Sequence, residues 1–183
     1  MKTVSFTNMA EGTAEEYQFL GEQETLFIRG LPGRIMKALE GLESSFSGYK
    51  ISRLEHSLQS ATRAYNDKRS TEYVVAALLH DIGDELAPHS HSEMAASILR
   101  PYVSEKIHWI VKYHGLFQMI YYAHHIGGEQ NARDQYKDHI WYDDAVEFCE
   151  IYDQNCFDPN YHSKSLGFFR PMVEEVFGKE VHF

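Results

Sequence analysis

Cysteines and long apolar runs are scarce in this chain of 183 residues. The two cysteines, Cys149 and Cys156, are spaced neither as a CxxC redox pair nor as a zinc knuckle, so the sequence predicts two buried thiols. The longest uninterrupted apolar run is VVAALL, which is far too short to span a bilayer. We therefore expect neither a thiolate-based site nor a membrane protein.

Positive charge is also scarce, because 17 Lys and Arg residues stand against 27 Asp and Glu residues, for a formal net charge of -10. A nucleic-acid surface needs Lys and Arg to neutralise phosphates, so no nucleic-acid partner is expected. The length is in the range of one domain, and we predict a single domain over residues 1–183. The first residues, MKTVSFTNMAEG, lack a basic segment followed by an apolar one, which favours a cytoplasmic location.

Strand-like alternation and internal repeats are absent from the sequence, and the spacing of apolar residues predicts an all-α fold. Residues 1–30 mix acidic and aromatic groups without a sustained period, so we predict an N-terminal arm that is irregular or packs late against the body. Pro32 can open the first helix. Ser52 followed by Glu55 has capping-box spacing and predicts a helix over residues 53–66.

The segment TEYVVAALLHDIG is apolar nearly all round, which is typical of a buried helix. Thr71 can cap this helix, and Gly83 is expected to end it in the left-handed conformation. Four more helices are predicted: after Ser90 or Ser92, from Ser104 through His114, over residues 138–152, and over SLGFFRPMVEEVF.

Histidine, by contrast, is abundant, with 11 residues. His80 and Asp81 follow one another at the end of the buried helix, where an unpaired polar group would cost about 1–3 kcal/mol. A metal cation satisfies a neutral imidazole and a carboxylate at once. The candidate metal ligands are His56, His80, Asp81, His91, His114 and Asp153.

The His80-Asp81 pair also indicates how many ions the site holds. Adjacent residues on a helix point about 100° apart, so Asp81 is better placed to bridge two ions than to join His80 on one. Mixed nitrogen and oxygen ligands without thiolate suit iron or manganese better than zinc. The alternative is a satisfied polar network at a helix junction that holds no metal.

Several short motifs carry a family resemblance: LEHSLQ, TEYVV, ALLHDIG, YHGLFQ and FDPNY. Over residues 50–155, the predicted metal-binding core, their order resembles the HD superfamily of metal-dependent enzymes and its dinuclear branch. Within that branch they most resemble the mixed-valence diiron oxygenases that cleave carbon–phosphorus bonds, which are relatives of myo-inositol oxygenase. The resemblance implies an HD-domain helical bundle.

The same resemblance implies a ligand set and a reaction. The first iron would be held by His56, His80, Asp81 and Asp153, and the second by Asp81, His91 and His114. The second iron then keeps positions open for substrate and dioxygen. The implied cofactors are two iron ions in the mixed-valent Fe(II)/Fe(III) state, with O2 as co-substrate. The implied substrate is a 1-hydroxyalkylphosphonate, (R)-1-hydroxy-2-(trimethylammonio)ethylphosphonate, which yields glycine betaine and phosphate.

Two other functions stay open at this point. An HD-type phosphohydrolase acting on a small phosphate ester would use the same ligands to activate water. A metal-stabilised binding protein without turnover is the third alternative. The close match of LEHSLQ and YHGLFQ favours the oxygenase.

Side chains near the candidate ligands are predicted to contact the substrate. Amides, an acid and an arginine would orient it and balance its charges, and aromatic faces would attract a quaternary ammonium head. These residues are Gln59, Asp84, Gln118, Tyr121, Tyr122 and Arg133. Some relatives use a tyrosine before the first histidine as a displaceable iron ligand. Tyr49 lies in that segment, although Phe46 matches the register better.

Overall fold

The computed structural model describes residues 2–179 and 181, and within these residues it consists of helices without strands. The all-α prediction is confirmed. The α-helices are α1 Ala14–Arg29, α2 Leu31–Gly41, α3 Arg53–Asn66, α4 Thr71–Leu79, α5 His91–Leu99, α6 Glu105–Tyr122, α7 Tyr142–Tyr152 and α8 Leu166–Phe177. Short 3-10 helices lie at Met9–Glu11, Leu42–Ser44, Ala123–His125 and Ala132–Tyr136.

The core of the fold is α4, in which every residue from Tyr73 to Leu79 is buried. It packs against α3, α6 and α8, so apolar neighbours cover it on several sides. This agrees with its sequence, which has no polar face to offer to solvent. The burial places the end of α4, where His80 and Asp81 follow, deep inside the molecule.

Local signals set the start of α3 as predicted. The Glu55 backbone N–H donates to the Ser52 side-chain oxygen at 3.1 Å, which caps the helix. The Glu55 carboxylate does not return the hydrogen bond, because it accepts one from the Ser163 hydroxyl instead. The cap of α4 is Ser70 rather than Thr71, which is the first helical residue.

The predicted left-handed stop at Gly83 was wrong. The helix α4 ends at Leu79, and the left-handed glycines among the described residues are Gly48 and Gly127. Gly83 serves close packing instead. A Cβ atom at this position would lie 2.7 Å from the carbonyl oxygen of His91 and 2.8 Å from its Cα.

The N-terminal segment is helical over α1, so the prediction of an irregular arm was wrong. A local capping box explains the helix: the Glu16 N–H donates to the Thr13 hydroxyl at 3.3 Å, and the Thr13 N–H donates to the Glu16 carboxylate at 3.0 Å. No residue of α1 is buried. Local capping therefore defines this helix more than packing does.

Both cysteines are buried free thiols, as predicted from their spacing. Burial raises the pKa of the Cys156 thiol to about 12. Within the described part of the chain, no helix combines the length and the apolar character needed to cross a membrane.

Candidate metal centre

Five helices bring the six predicted ligands together. His56 lies in the first turn of α3, and His91 is the first residue of α5. His114 lies in the middle of α6, and Asp153 directly follows α7. Five of the six ligand side chains are nearly fully buried. The exception is His91, which keeps 27% of its side chain exposed.

The first cluster consists of His56, His80, Asp153 and one oxygen of Asp81. The Nε2 atoms of His56 and His80 are 3.0 Å apart, and each lies 3.2 Å from Asp81 Oδ2. Asp153 Oδ1 lies 3.3 Å from His56 Nε2 and 3.6 Å from His80 Nε2. Neighbouring ligands about 2.1 Å from one metal ion are about 3 Å apart, so these spacings fit one cation.

The second cluster uses the other oxygen of Asp81. Asp81 Oδ1 lies 3.2 Å from His114 Nε2 and 3.4 Å from His91 Nε2. The two carboxylate oxygens of Asp81 therefore face two different groups of imidazoles. This is the geometry of a bridging carboxylate between two ions, with three protein ligands in the second cluster.

Backbone carbonyls determine which imidazole nitrogen faces the centre. A carbonyl oxygen only accepts hydrogen bonds, so each Nδ1 bound to one must carry a proton, and once the imidazole is neutral its lone pair lies on Nε2. The pairs are His56 Nδ1 with the carbonyl of Cys156 at 3.0 Å, His80 Nδ1 with Ala77 at 2.7 Å, and His114 Nδ1 with Val111 at 2.6 Å. The Nε2 atoms of His56 and His80 face each other at 3.0 Å, so their two lone pairs would repel unless a proton or a metal ion lies between them.

Asp153 adds a further indication of a cation site. Its Oδ2 atom is buried and has no hydrogen-bond partner within the described residues. A buried carboxylate oxygen left unpaired is costly, and coordination to a metal ion removes that cost. The donor set, with four imidazoles and two carboxylates but no thiolate, fits a pair of iron or manganese ions.

The electrostatics of the centre also favour positive charge. Burial works to lower the pKa of His56 and of His80, but Asp81 and Asp153 outweigh it and raise both. Burial works to raise the pKa of Asp81 and of Asp153, but the neighbouring imidazoles, and Arg53 beside Asp81, lower both. The pocket therefore holds its carboxylates ionised and attracts cations.

We expect the affinity for metal to rise with pH, because protons compete for the same nitrogens. The raised pKa values of His56 and His80 keep the metal-free imidazoles protonated to a higher pH than usual, and this proton must leave before Nε2 binds a metal ion. Competition titrations of Zn²⁺ against a chromophoric chelator at about pH 6, 7 and 8 should show affinity falling towards acid by up to about tenfold per unit for each displaced proton. An affinity that does not change with pH would contradict this expectation.

A cavity of about 330 Å³ opens beside the second cluster. Among the ligands it exposes Asp81, His91, His114 and Asp153, whereas His56 and His80 lie behind them. The remaining lining residues are Tyr49, Arg53, Gly115, Gln118, Tyr121, Tyr122, Gln154 and Phe157. The side of the centre that a substrate can reach is therefore the side of the second cluster.

Besides these metal ligands, the cavity is lined by Gln118, Tyr121 and Tyr122, which were predicted to contact substrate, and by Tyr49, which was predicted as a displaceable iron ligand. The ring of Tyr49 stacks on Phe157 at 4.8 Å, and Phe157 stacks on His56 at 4.3 Å. Tyr49 is 52% exposed, so it stands at the cavity entrance rather than in the buried centre.

Three residues predicted to contact substrate lie elsewhere. Both ends of the Gln59 amide bind the backbone of Asp158, with Nε2 donating to the carbonyl at 2.7 Å and Oε1 accepting from the N–H at 3.3 Å. Asp84 is bound by Arg53 and faces His91 Nδ1 at 3.6 Å. Arg133 lies on the 3-10 helix Ala132–Tyr136, and none of the three is a cavity-lining residue.

Sequence reasoning missed Arg53, Gln154 and Phe157. A signal for Arg53 was available, because it precedes His56 by three residues and therefore shares its helix face. Phe157 had no comparable signal, since it lies in an irregular segment after α7 whose path depends on contacts with α3.

Comparison with known proteins agrees with this geometry. A family model described as HD domain matches residues 53–153, which include all six candidate ligands. A curated [1-hydroxy-2-(trimethylamino)ethyl]phosphonate dioxygenase (glycine-betaine-forming) from Leisingera caerulea is 30% identical over 98 residues, which cover 45% of this chain and 50% of that protein. The chain thus spans about half the length of the curated relative that it matches.

Proposed function

The chain belongs to the HD domain family, and from that premise we propose that it is a dinuclear iron oxygenase that cleaves the carbon–phosphorus bond of a 1-hydroxyalkylphosphonate. The proposed substrate is (R)-1-hydroxy-2-(trimethylammonio)ethylphosphonate, and the products are glycine betaine and phosphate. The observation that carries the proposal is Asp81, which directs one oxygen to each of two imidazole clusters beside an accessible cavity. The activity named for the similar dioxygenase supports the choice of reaction.

The proposed reaction balances without a further reductant. The carbon that bears the hydroxyl loses its hydrogen and its bond to phosphorus, and it becomes a carboxyl group. One O2 molecule takes up the four electrons, and its two oxygen atoms complete the carboxylate and the phosphate. Protons also balance, because the hydroxyphosphonic acid contains as many hydrogens as the two product acids taken together.

A pair of iron ions, when bound, supplies the redox chemistry that activates O2. The chain's residues would hold the two ions at different depths. The ligands of the first ion, His56, His80 and Asp153, are almost fully buried, which suits an ion that is closed to exchange. The second ion would be held by only three protein ligands at the cavity wall, so positions remain for the substrate.

The aromatic lining would bind the trimethylammonium head. Tyr49, Tyr121 and Tyr122 line the cavity, and a quaternary ammonium gains about 0.5–2 kcal/mol from an aromatic face. Gln118, one turn after His114, adds an amide that can orient the hydroxyl group. The cavity volume of about 330 Å³ matches a small substrate better than a nucleotide.

The alternative is a phosphohydrolase of the same family, because two metal ions can equally activate water against a phosphate ester. The ligands are the same in both cases, so the need for O2 separates the two functions. An oxygenase requires O2 in proportion to product. A hydrolase releases phosphate without it.

The experiment is to load the protein with Fe(II), add the hydroxyphosphonate, and follow O2 with an electrode and phosphate by a colorimetric assay. We expect one O2 consumed for each phosphate released, and no phosphate under anaerobic conditions. The control variant His162→Gln changes an exposed histidine outside the centre, and it should keep this activity. Phosphate release from phosphomonoesters without O2 would instead identify the hydrolase.

A further inference from the structure

Arg53 is a buried cation at the boundary between the metal centre and the cavity. Its residue exposure is 9%. Its Nε donates to Asp84 Oδ2 at 2.7 Å, and its Nη2 donates to Asp81 Oδ2. Of the described residues that line the cavity, Arg53 is the one Lys or Arg. Any anion that enters the cavity therefore meets this guanidinium.

The two carboxylates do not use all the hydrogen-bonding capacity of Arg53. A guanidinium has five N–H donors in a planar fork, and the contacts with Asp81 and Asp84 use two of them. The Arg53 guanidinium carbon lies 5.5 Å from the ring centre of Tyr49 and 6.0 Å from that of Phe157. These neighbours hold the fork at the cavity wall, where its remaining donors can bind a ligand.

The charge around Arg53 changes sign when metal ions bind. The carboxylates of Asp81, Asp84 and Asp153, together with the Arg53 guanidinium, carry a net charge of about −2, and two divalent ions would change this to about +2. A cavity with this charge favours a dianionic ligand. A phosphonate or phosphate group has this charge, and its oxygens match the planar fork of an arginine.

We propose that Arg53 binds the tetrahedral oxyanion of the substrate and thereby determines specificity for a phosphonate head. This inference rests on the proposed function. It assigns to Arg53 the role that the sequence suggested for Arg133, which lies outside the cavity lining. Arg53 also keeps Asp84 engaged, so the acid is not available to the cationic head of the substrate.

The test uses protein loaded with two Mn²⁺ ions per chain and inorganic phosphate as the probe, with binding measured by calorimetry. Arg53→Gln should keep two ions per chain and weaken phosphate binding by roughly 10- to 100-fold, as expected for the loss of a charge-assisted hydrogen bond. Arg53→Lys keeps the charge but not the fork, so it should recover part of the affinity. The matched control, Arg170→Gln, changes an exposed arginine of α8 and should bind phosphate as the unaltered protein does.

Two results would overturn the inference. Unchanged phosphate affinity in both Arg53 variants would show that the guanidinium does not contact the anion. Metal content that falls in parallel with phosphate affinity in both variants would show that Arg53 only supports the metal centre.

Activity measurements separate this inference from the proposed function. If phosphate binding depends on Arg53 but the hydroxyphosphonate drives no O2 consumption, the oxygenase proposal fails and the anion site remains. If O2 consumption is coupled to phosphate release and Arg53→Gln leaves KM for the hydroxyphosphonate unchanged, the role of Arg53 fails and the oxygenase proposal remains.

Discussion

Asp81→Asn is expected to remove bound metal from both clusters and to abolish turnover. Asp81 is 3% exposed, and its two oxygens lie 3.2 Å from imidazole nitrogens of different clusters. Asparagine has one oxygen and no charge, so it cannot bridge two cations. Changes to groups that only hydrogen-bond to a metal ligand commonly cost about 10- to 100-fold in metal affinity, and loss of the shared ligand itself should exceed that range at both sites.

Metal analysis after dialysis checks this expectation, with turnover measured on the same samples. We expect fewer than one ion per chain in the Asp81 variant. Asp138→Asn is the matched control, because it makes the same chemical change at an exposed position outside the centre. Two ions per chain in Asp81→Asn would rule out a bridging role for this carboxylate.

Gly83→Ala is expected to remove the second metal ion while leaving the first in place. The added Cβ would lie 2.7 Å from the His91 carbonyl oxygen and 2.8 Å from its Cα, and backbone atoms cannot rotate away. His91 must therefore move away from Asp81 Oδ1, which it now approaches at 3.4 Å. His91 does not belong to the first cluster, so that cluster should keep its ion. Such overpacking also costs about 1–3 kcal/mol of folding stability.

A metal titration should show two binding events in the unaltered protein and one in Gly83→Ala. Gly33→Ala is the matched control, because the added Cβ in α2 meets no atom within 4 Å and should change neither event. Two intact events in Gly83→Ala would show that this contact does not position His91.

Sequence periodicity and capping predicted most of the helices. Where the structure differs from the prediction, the cause is either a local cap or a packing contact. The start of α3 at Arg53 follows from the Ser52 cap, which needs only residues within one turn. The end of α4 was misplaced because glycine serves both left-handed stops and close packing, and the sequence does not distinguish the two. At Gly83 the deciding contact comes from His91, eight residues away.

The candidate site was also predicted only in part from the sequence. All six predicted ligands lie in two adjoining clusters that share Asp81, as expected of buried imidazoles and carboxylates, which need partners. The substrate residues were predicted less well. Gln59 shares a helix face with His56 as predicted, yet a backbone segment 99 residues away binds both ends of its amide. Asp84 is likewise occupied by Arg53, 31 residues earlier.

The helical class could be predicted from the residues alone, as could the capped start of α3, the buried helix that leads to His80-Asp81, and the set of candidate ligands. These features depend on local spacing and on the chemistry of single residues. The folded arrangement was needed to show that the two oxygens of Asp81 face different imidazole clusters, that Arg53 rather than Arg133 lines the cavity, and that Gly83 packs against His91. Such features depend on which distant groups compete for the same hydrogen bond or the same space, and that competition takes place only in the folded chain.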